Sequence, residues 1–251
     1  MKYSIAALSL LCWSFAIGQV NQLDANGLKQ GEWQKVYKGT RVFKYKGQFK
    51  DDKPIGKFTY FYKSSKVKAV IKHDVEGERS VAYLYHENGA IMSHGIYRGQ
   101  KKDSIWINFG PSQRLSNTET YANGMLNGIK RVYYVPEDIN NKSQIPSIVY
   151  NYINDTLDGE FVEYFQSLVV MGKGHYKKNK KHGIWLRYHP NGKKMTLTRY
   201  KNGIKHGWCK AYGINGKETN SQYYHFGRHI EGERLKDLMQ QMKDLGINPN
   251  E

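Results

Sequence analysis

Cysteine is nearly absent. Of two in 251 residues, Cys12 lies in the N-terminal apolar run and only Cys209 follows it. A single thiol beyond the leader allows no intrachain disulfide, even in an oxidising compartment. Long apolar runs are also missing: the one present, Ile5 to Ile17, has 13 residues, where a membrane-crossing helix needs about 20. No phosphate-binding glycine loop, HExxH, GxSxG or paired Cys-x-x-Cys occurs, so the common motif-bearing chemistries have no support. No catalytic, cofactor-binding or metal-ligating residue is assigned on sequence grounds, and the expectation is a protein that is not an enzyme. Acid pairs such as Asp51-Asp52 and Glu76/Glu78 are isolated, the first in a turn beside Lys53. No Ser- or Pro-rich linker and no second composition class interrupts Gly31 to Gly227, so residues 19–228 read as one domain.

What the leader contains is informative. Met1 to Gly18 (MKYSIAALSLLCWSFAIG) has one Lys, then the apolar run, then Ala16-Ile17-Gly18 before Gln19. That pattern predicts a secretory signal cleaved after Gly18 and an exported chain, periplasmic or extracellular. Cys12 sits behind bulky Leu10 and Leu11, which argues against lipid attachment.

The rest of the chain is a repeat with a period near 24. Its first position falls at Gly31, Gly56, Ser80, Ser104, Gly128, Gly159, Gly183 and Gly207. Five residues on come Val36, Phe61, Tyr85, Phe109, Tyr133, Tyr164, Tyr188 and Tyr212. Each unit closes on Phe49, His73, Tyr97, Tyr121, Tyr152, Tyr176, Tyr200 and Tyr224. The one long gap carries extra residues at Pro136 to Pro146, a polar, Pro-bounded loop between strands. A solenoid tolerates such an insertion because each unit touches only its neighbours.

Two turns punctuate each unit. The first is His189 to Gly192, His86 to Gly89 and Gly213 to Gly216; the second is Asn202-Gly203, Asn123-Gly124, Asn26-Gly27 and the variant Asn154-Asp155. Asn-Gly supplies the positive φ of tight hairpins, and aromatic neighbours suit a pleated surface. Two strands per unit over eight units predict an all-β fold: an elongated single-sheet meander of stacked hairpin repeats. About 16 strands at ~4.8 Å each make a body on the order of 75 Å long. The third position of the units (Trp33, Phe58, Ala82, Trp106, Lys130, Phe161, Trp185, Cys209) is expected to supply stacked rings, with Ala82 and Lys130 as weak rungs.

These residues carry a family resemblance. Tyr200 to Tyr212 (YKNGIKHGWCKAY) and Tyr176 to Tyr188 (YKKNKKHGIWLRY) resemble the MORN-repeat variant, a relative of the membrane occupation and recognition nexus repeat, whose core reads roughly Y-x-N-G-x-x-H-G-x-W-x-x-Y. The resemblance covers about Asn26 to Gly227. It implies stacked β-hairpins in an elongated sheet, and similar bacterial chains are grouped as antitoxin-like. Ser80 and Ser104 depart from its leading Gly, and only His182 and His206 keep its His.

Past Gly227 the period changes. Leu235, Leu238, Met239, Met242 and Leu245 share a helical stripe, with Gly246 and Pro249 beyond. Residues 229–251 therefore predict an amphipathic helix and tail, read as a cap for the open sheet or as a partner-binding helix. Cys209 reads as a small core residue or a reactive thiol, and His182 and His206, one repeat apart, as hydrogen-bonding their own turns. Formal charge is +17, from 39 basic and 22 acidic residues. A basic, aromatic strip of Tyr176, Tyr188, Tyr200 and Tyr212 with Lys177, Lys178, Lys180, Lys181, Lys193, Lys194, Lys201 and Lys205 is the candidate binding surface. Its expected partner is a protein or an anionic envelope component such as a lipid headgroup, lipopolysaccharide or acidic glycan. Single-stranded nucleic acid would suit it physically, but an exported chain rarely meets it. High charge also keeps an edge-rich protein soluble.

Overall fold

In a computed structural model, which describes residues 19–136 and 143–250, the chain forms one open antiparallel meander of 20 strands and one C-terminal helix. The leader expected at residues 1–18 lies outside the described residues, as do residues 137–142 of the expected loop. After a short β1 (Gln22–Leu23), the first four hairpins are β2 (Lys29–Val36) with β3 (Phe43–Lys50), β4 (Lys53–Phe61) with β5 (Val67–His73), β6 (Arg79–Tyr85) with β7 (Ile91–Arg98), and β8 (Lys101–Phe109) with β9 (Leu115–Ala122). The loop-bearing hairpin is β10 (Met125–Tyr133) with β11 (Pro146–Ile153). Then come β12 (Thr156–Leu157) and β13 (Gly159–Tyr164) with β14 (Val170–Lys177), and β15 (Lys180–Tyr188) with β16 (Lys194–Lys201). The last are β17 (Ile204–Lys205) and β18 (Gly207–Tyr212) with β19 (Glu218–His225), followed by β20 (Arg228–Ile230). The strands beyond sixteen are the short β1 and β20 and two strands split at a leading glycine. The sheet runs to Ile230, just past the boundary placed at residue 228.

The repeat columns are the register of the sheet. All eight leading positions face all eight closing positions: Gly31 opposite Phe49, Gly56 His73, Ser80 Tyr97, Ser104 Tyr121, Gly128 Tyr152, Gly159 Tyr176, Gly183 Tyr200 and Gly207 Tyr224. The column from Val36 to Tyr212 sits in every hairpin at a register shift, where an extra residue bends the strand end into the turn.

The two turns differ in kind. At Asn202-Gly203, Asn123-Gly124 and Asn154-Asp155 both residues have positive φ, as a two-residue hairpin loop demands. Asp51-Asp52 and Lys178-Asn179 do the same. At His86–Gly89 and His189–Gly192 only the glycine is left-handed, and the asparagine instead accepts the amide two residues on, Ala90 or Lys193. Asn26-Gly27 belongs to this second kind, contrary to the sequence grouping, since only Gly27 has positive φ. Several turns also reach across to the adjoining repeat. Tyr37 and Tyr62 hydroxyls donate to the carbonyls of Phe61 (2.7 Å) and Tyr85 (2.6 Å), and His86 and His189 Nε2 lie 3.0 Å from those of Phe109 and Tyr212.

Pleating separates two faces. On one, here the ring face, a central row runs Phe58, Ile71, Ala82, Gly95, Trp106, Glu119, Lys130, Tyr150, Phe161, Gly174, Trp185. The opposite face carries Thr59, Val70, Tyr83, His94 and Ile107 in its own central row.

Helix α1 (Gly232–Asp244) returns onto that opposite face at the C-terminal end of the sheet. Tyr223 is fully buried there, its hydroxyl donating to the Pro249 carbonyl at 3.0 Å and lying 3.6 Å from Met242 Sδ. Trp208 meets Tyr223 edge-on at 5.5 Å, and its amide donates to Asn250 Oδ1. Of the predicted stripe, Leu235, Leu238, Met239 and Met242 are sheltered while Leu245 is 72% exposed.

Candidate binding faces

A single-layer sheet has no second layer to cover its rings, yet Phe58, Trp106 and Trp185 are only 2, 0 and 9% exposed. The cause is a glycine on the preceding strand. A Cβ added at Gly47 would overlap the Phe58 ring, one at Gly95 the Trp106 ring, and one at Gly174 the Trp185 ring. Each ring lies flat across its neighbouring strand instead of standing off the sheet, and each glycine stands eleven residues before its ring in the chain. Tyr97 then closes over Trp106 edge-on at 4.9 Å, and Tyr176 over Trp185 at 4.9 Å. Burying such a ring contributes roughly 1.5–3 kcal/mol.

Lysines finish the cover. Lys102 Nζ sits 4.5 Å from the Trp106 ring centre and 4.7 Å from that of Tyr121; Lys181 Nζ sits 4.3 Å from Trp185 and 5.3 Å from Tyr200. Lys29 does the same over Trp33 and Phe49, and Lys205 over Tyr224. All four stand two residues before a leading position. That spacing is the sequence signal for a cation over a ring, about 0.5–1 kcal/mol each where exposed. It picks out Lys29 and Lys102, which the candidate strip omits.

The strip itself is divided. Tyr176, Tyr200 and Lys181 surround Trp185 on the ring face, around a groove of about 160 Å³ that also holds Glu163, Arg187, Thr196 and Thr198, and Lys205 lies opposite Tyr200 on the same face. Tyr188 lies on the opposite face, its ring 6.0 Å from Lys173 Nζ, and Tyr212 occupies the equivalent position. Lys177, Lys178, Lys180 and Lys201 gather at the two-residue turns, all exposed. Lys193 and Lys194 are at the other rim, one strand length or about 23 Å away. The expected strip is thus four groups: a ring-packed set, two tyrosines on the opposite face and lysines at each of the two rims.

Where Lys130 takes a ring position, the row becomes polar. Glu119, directly opposite, accepts from Lys130 Nζ at 2.8 Å, the Tyr121 hydroxyl at 2.9 Å and Asn108 Nδ2 at 3.3 Å. Burial works to raise the Glu119 pKa, but the Lys130 and Tyr121 hydrogen bonds and the charges of Lys130 and Lys102 outweigh it and hold the carboxyl low. Burial first, then bonding to Glu119, pushes the Tyr121 phenol up, and burial pushes Lys102 down. Of the two expected weak rungs, Lys130 is paired with Glu119 and Ala82 is fully buried.

Cys209 is half-buried on the ring face, its Sγ 4.0 Å from the Gly207 carbonyl. His206 does not bond its own turn as expected: its Nδ1 accepts from the Phe226 amide, in the turn of the next hairpin, at 3.3 Å. His182 Nδ1 is buried without a partner. Among the described residues no group of three or more His, Cys, Asp or Glu is placed to hold a metal, and no helix is long and apolar enough to cross a membrane. Asp51 and Asp52 are structural, bonding Gln30 Nε2 (2.6 Å) and the Lys29 amide (3.0 Å).

No family model matches the chain, and no curated protein matches it. Among solved structures, a mutant of Staphylococcus aureus TarM in complex with fondaparinux, alpha-GlcNAc-glycerol and UDP is similar at 12% identity and a TM-score of 0.24. The similarity covers 51% of this chain and 19% of that one.

Proposed function

We propose that the chain is an exported, non-enzymatic scaffold that binds another protein along its sheet. The observation behind this reading is the asymmetry of the two faces. Rings, glycines and lysines of the chain itself fill one face, whereas the other leaves Val70, Val81, Ile96, Ile105 and Ile107 partly exposed, and α1 covers that face at its C-terminal end, on Tyr223. The resemblance to MORN-variant repeats points the same way, since it implies a stacked-hairpin body without a defined chemistry. An antitoxin-like role is one form of this reading, with a toxin as the partner.

Immobilised chain offered a cell-envelope extract should retain a defined set of proteins; recovery no different from that of an unrelated repeat protein ends the proposal. Two variants then locate the contact. Tyr176→Phe with Tyr200→Phe keeps the ring packing and removes both hydroxyls. Lys177→Glu with Lys178→Glu and Lys180→Glu reverses the basic rim.

That rim supports a second reading, adhesion to an anionic envelope component. Its lysines are exposed and crowded, with Lys177 directly opposite Lys180. Flotation with phosphatidylglycerol vesicles should show binding at low salt that fades as the screening length shrinks. Absence of binding at low salt removes it.

A further inference from the structure

We infer that the face opposite the rings, across β5 to β8, is a docking site for an amphipathic helix with acidic flanks on a partner protein. This rests on the reading of the chain as a protein-binding scaffold and names the surface and the chemistry.

Pleat and register bring Val70, Val81, Tyr83, Ile96 and Ile107 together on that face. Ile105 beside them is 56% exposed, and His94 stacks between Tyr83 (5.9 Å) and Phe109 (6.0 Å) as a flat floor. Those four strands span about 19 Å at one strand spacing each, the length of about 13 helical residues. The same face already shows what covers it: thirteen-residue α1 lies against its C-terminal end and buries Met242 on Tyr223.

Charge selects the flanks. Lys57 lies directly opposite Lys72, and Arg79 directly opposite Arg98, all four exposed. Like charges paired across strands destabilise a sheet. Elsewhere such pairs flank two-residue turns at the rim, as Lys50 with Lys53 or Lys177 with Lys180, where the loop fixes them. Lys57 and Lys72 are instead held together inside a ladder. The acid on this patch, Asp103, stands 3.8 Å from Arg98, and Asp74 in the adjoining turn is occupied by the amides of Glu78 and Arg79. Glu76 and Glu78 lie in that same turn, at the rim. Carboxylates on the flanks of a docked helix would relieve the Lys57–Lys72 and Arg79–Arg98 repulsions while its apolar stripe covered Val81, Ile96 and Ile105.

The probe is a synthetic amphipathic peptide of about fourteen residues, with leucines at helical spacing and glutamates flanking them, titrated into the full chain by fluorescence anisotropy. A lysine-flanked version and a scrambled glutamate version are the controls. The glutamate helix should bind at least tenfold tighter than either. Ile105→Glu and Lys72→Glu should each weaken it about tenfold with an unchanged circular dichroism spectrum, while Lys177→Glu should leave it unchanged. Equal binding of the scrambled peptide, or full binding by the folded Ile105→Glu variant, overturns the site. Phosphatidylglycerol vesicles engaging these residues while the helix does not would also overturn it and make the face lipid-binding. A specific envelope protein retained by a chain that ignores the helix would leave the scaffold reading intact and remove only this surface.

Discussion

Trp106 and the Glu119–Lys130 pair are neighbours in one row, and they fill it in opposite ways. The Trp106 slot is closed by steric accommodation: Gly95 withdraws its side chain so the indole can lie on the backbone, and Tyr97 and Lys102 seal the exposed edge. The next slots hold two charges, tolerated because they face each other at 2.8 Å and a phenol and an amide take the remaining carboxylate lone pairs. The repeat therefore fixes positions and not residue types. Each slot asks only that the adjacent strand supply the complement, a void for a ring or an opposite charge for a charge.

The comparison is broken most directly at the ring. Trp106→Ala should cost about 3–5 kcal/mol, and Gly95→Ala about 2–3 kcal/mol by driving the indole off the sheet, both read from urea unfolding. A loss under about 1 kcal/mol for Gly95→Ala would mean that the ring does not lie on that glycine.

At the polar slot, Glu119→Gln should cost about 1–3 kcal/mol by leaving Lys130 unpaired. Glu119→Leu combined with Lys130→Met should restore that stability or exceed it, since buried ion pairs are often replaceable by apolar pairs. A double variant weaker than Glu119→Gln would show that the pair itself stabilises the row.

Acid separates the regions again. Burial, then His225 and Lys201, holds the His206 pKa below its ordinary 6.5, and burial does the same at His73 against the pull of Asp74. The unfolded chain then takes up these protons first, so stability is full above about pH 6.5 and declines as pH falls through the depressed values. The Glu119 carboxyl is also held low, so its contribution is full above about pH 4.5 and is lost as pH falls from there through the depressed value. Melting temperature should therefore fall in two steps, and Glu119→Gln should flatten the lower one.

The smallest effect tests the two serines at leading positions. Ser104 keeps the left-handed backbone of the glycines, at φ 59°, and Ser80 does not. Ser104→Gly should raise stability by about 1 kcal/mol. Ser80→Gly should lower it, because it forfeits the 2.7 Å bond to His73 Nδ1 and adds about 0.5–1 kcal/mol of backbone entropy in a strand. Opposite signs in matched thermal melts are the expected outcome.

Much of this architecture was legible in the residues. The spacing of leading and closing columns is the register itself, because each hairpin brings those two ends together. The candidate surface was less legible. Tyr176, Tyr188, Tyr200 and Tyr212 recur every twelve residues and look equivalent, but register puts Tyr176 and Tyr200 against Trp185 while Tyr188 lies by Lys173 on the other side. The glycine under each ring is hidden in the sequence for a related reason. Gly174 and Trp185 are eleven residues apart within the chain and meet only across adjacent strands.

By itself the sequence determined the unit, the number of units, the turn positions and the pairing of columns, because hairpin geometry is local and repeats with the chain. Tertiary structure alone decided which face each column occupies, which rings lie down on which glycines, where Lys130 finds its carboxylate, and which face α1 covers. Those outcomes depend on contacts between strands and on bulges that shift the pleat, and a one-dimensional spacing does not encode them.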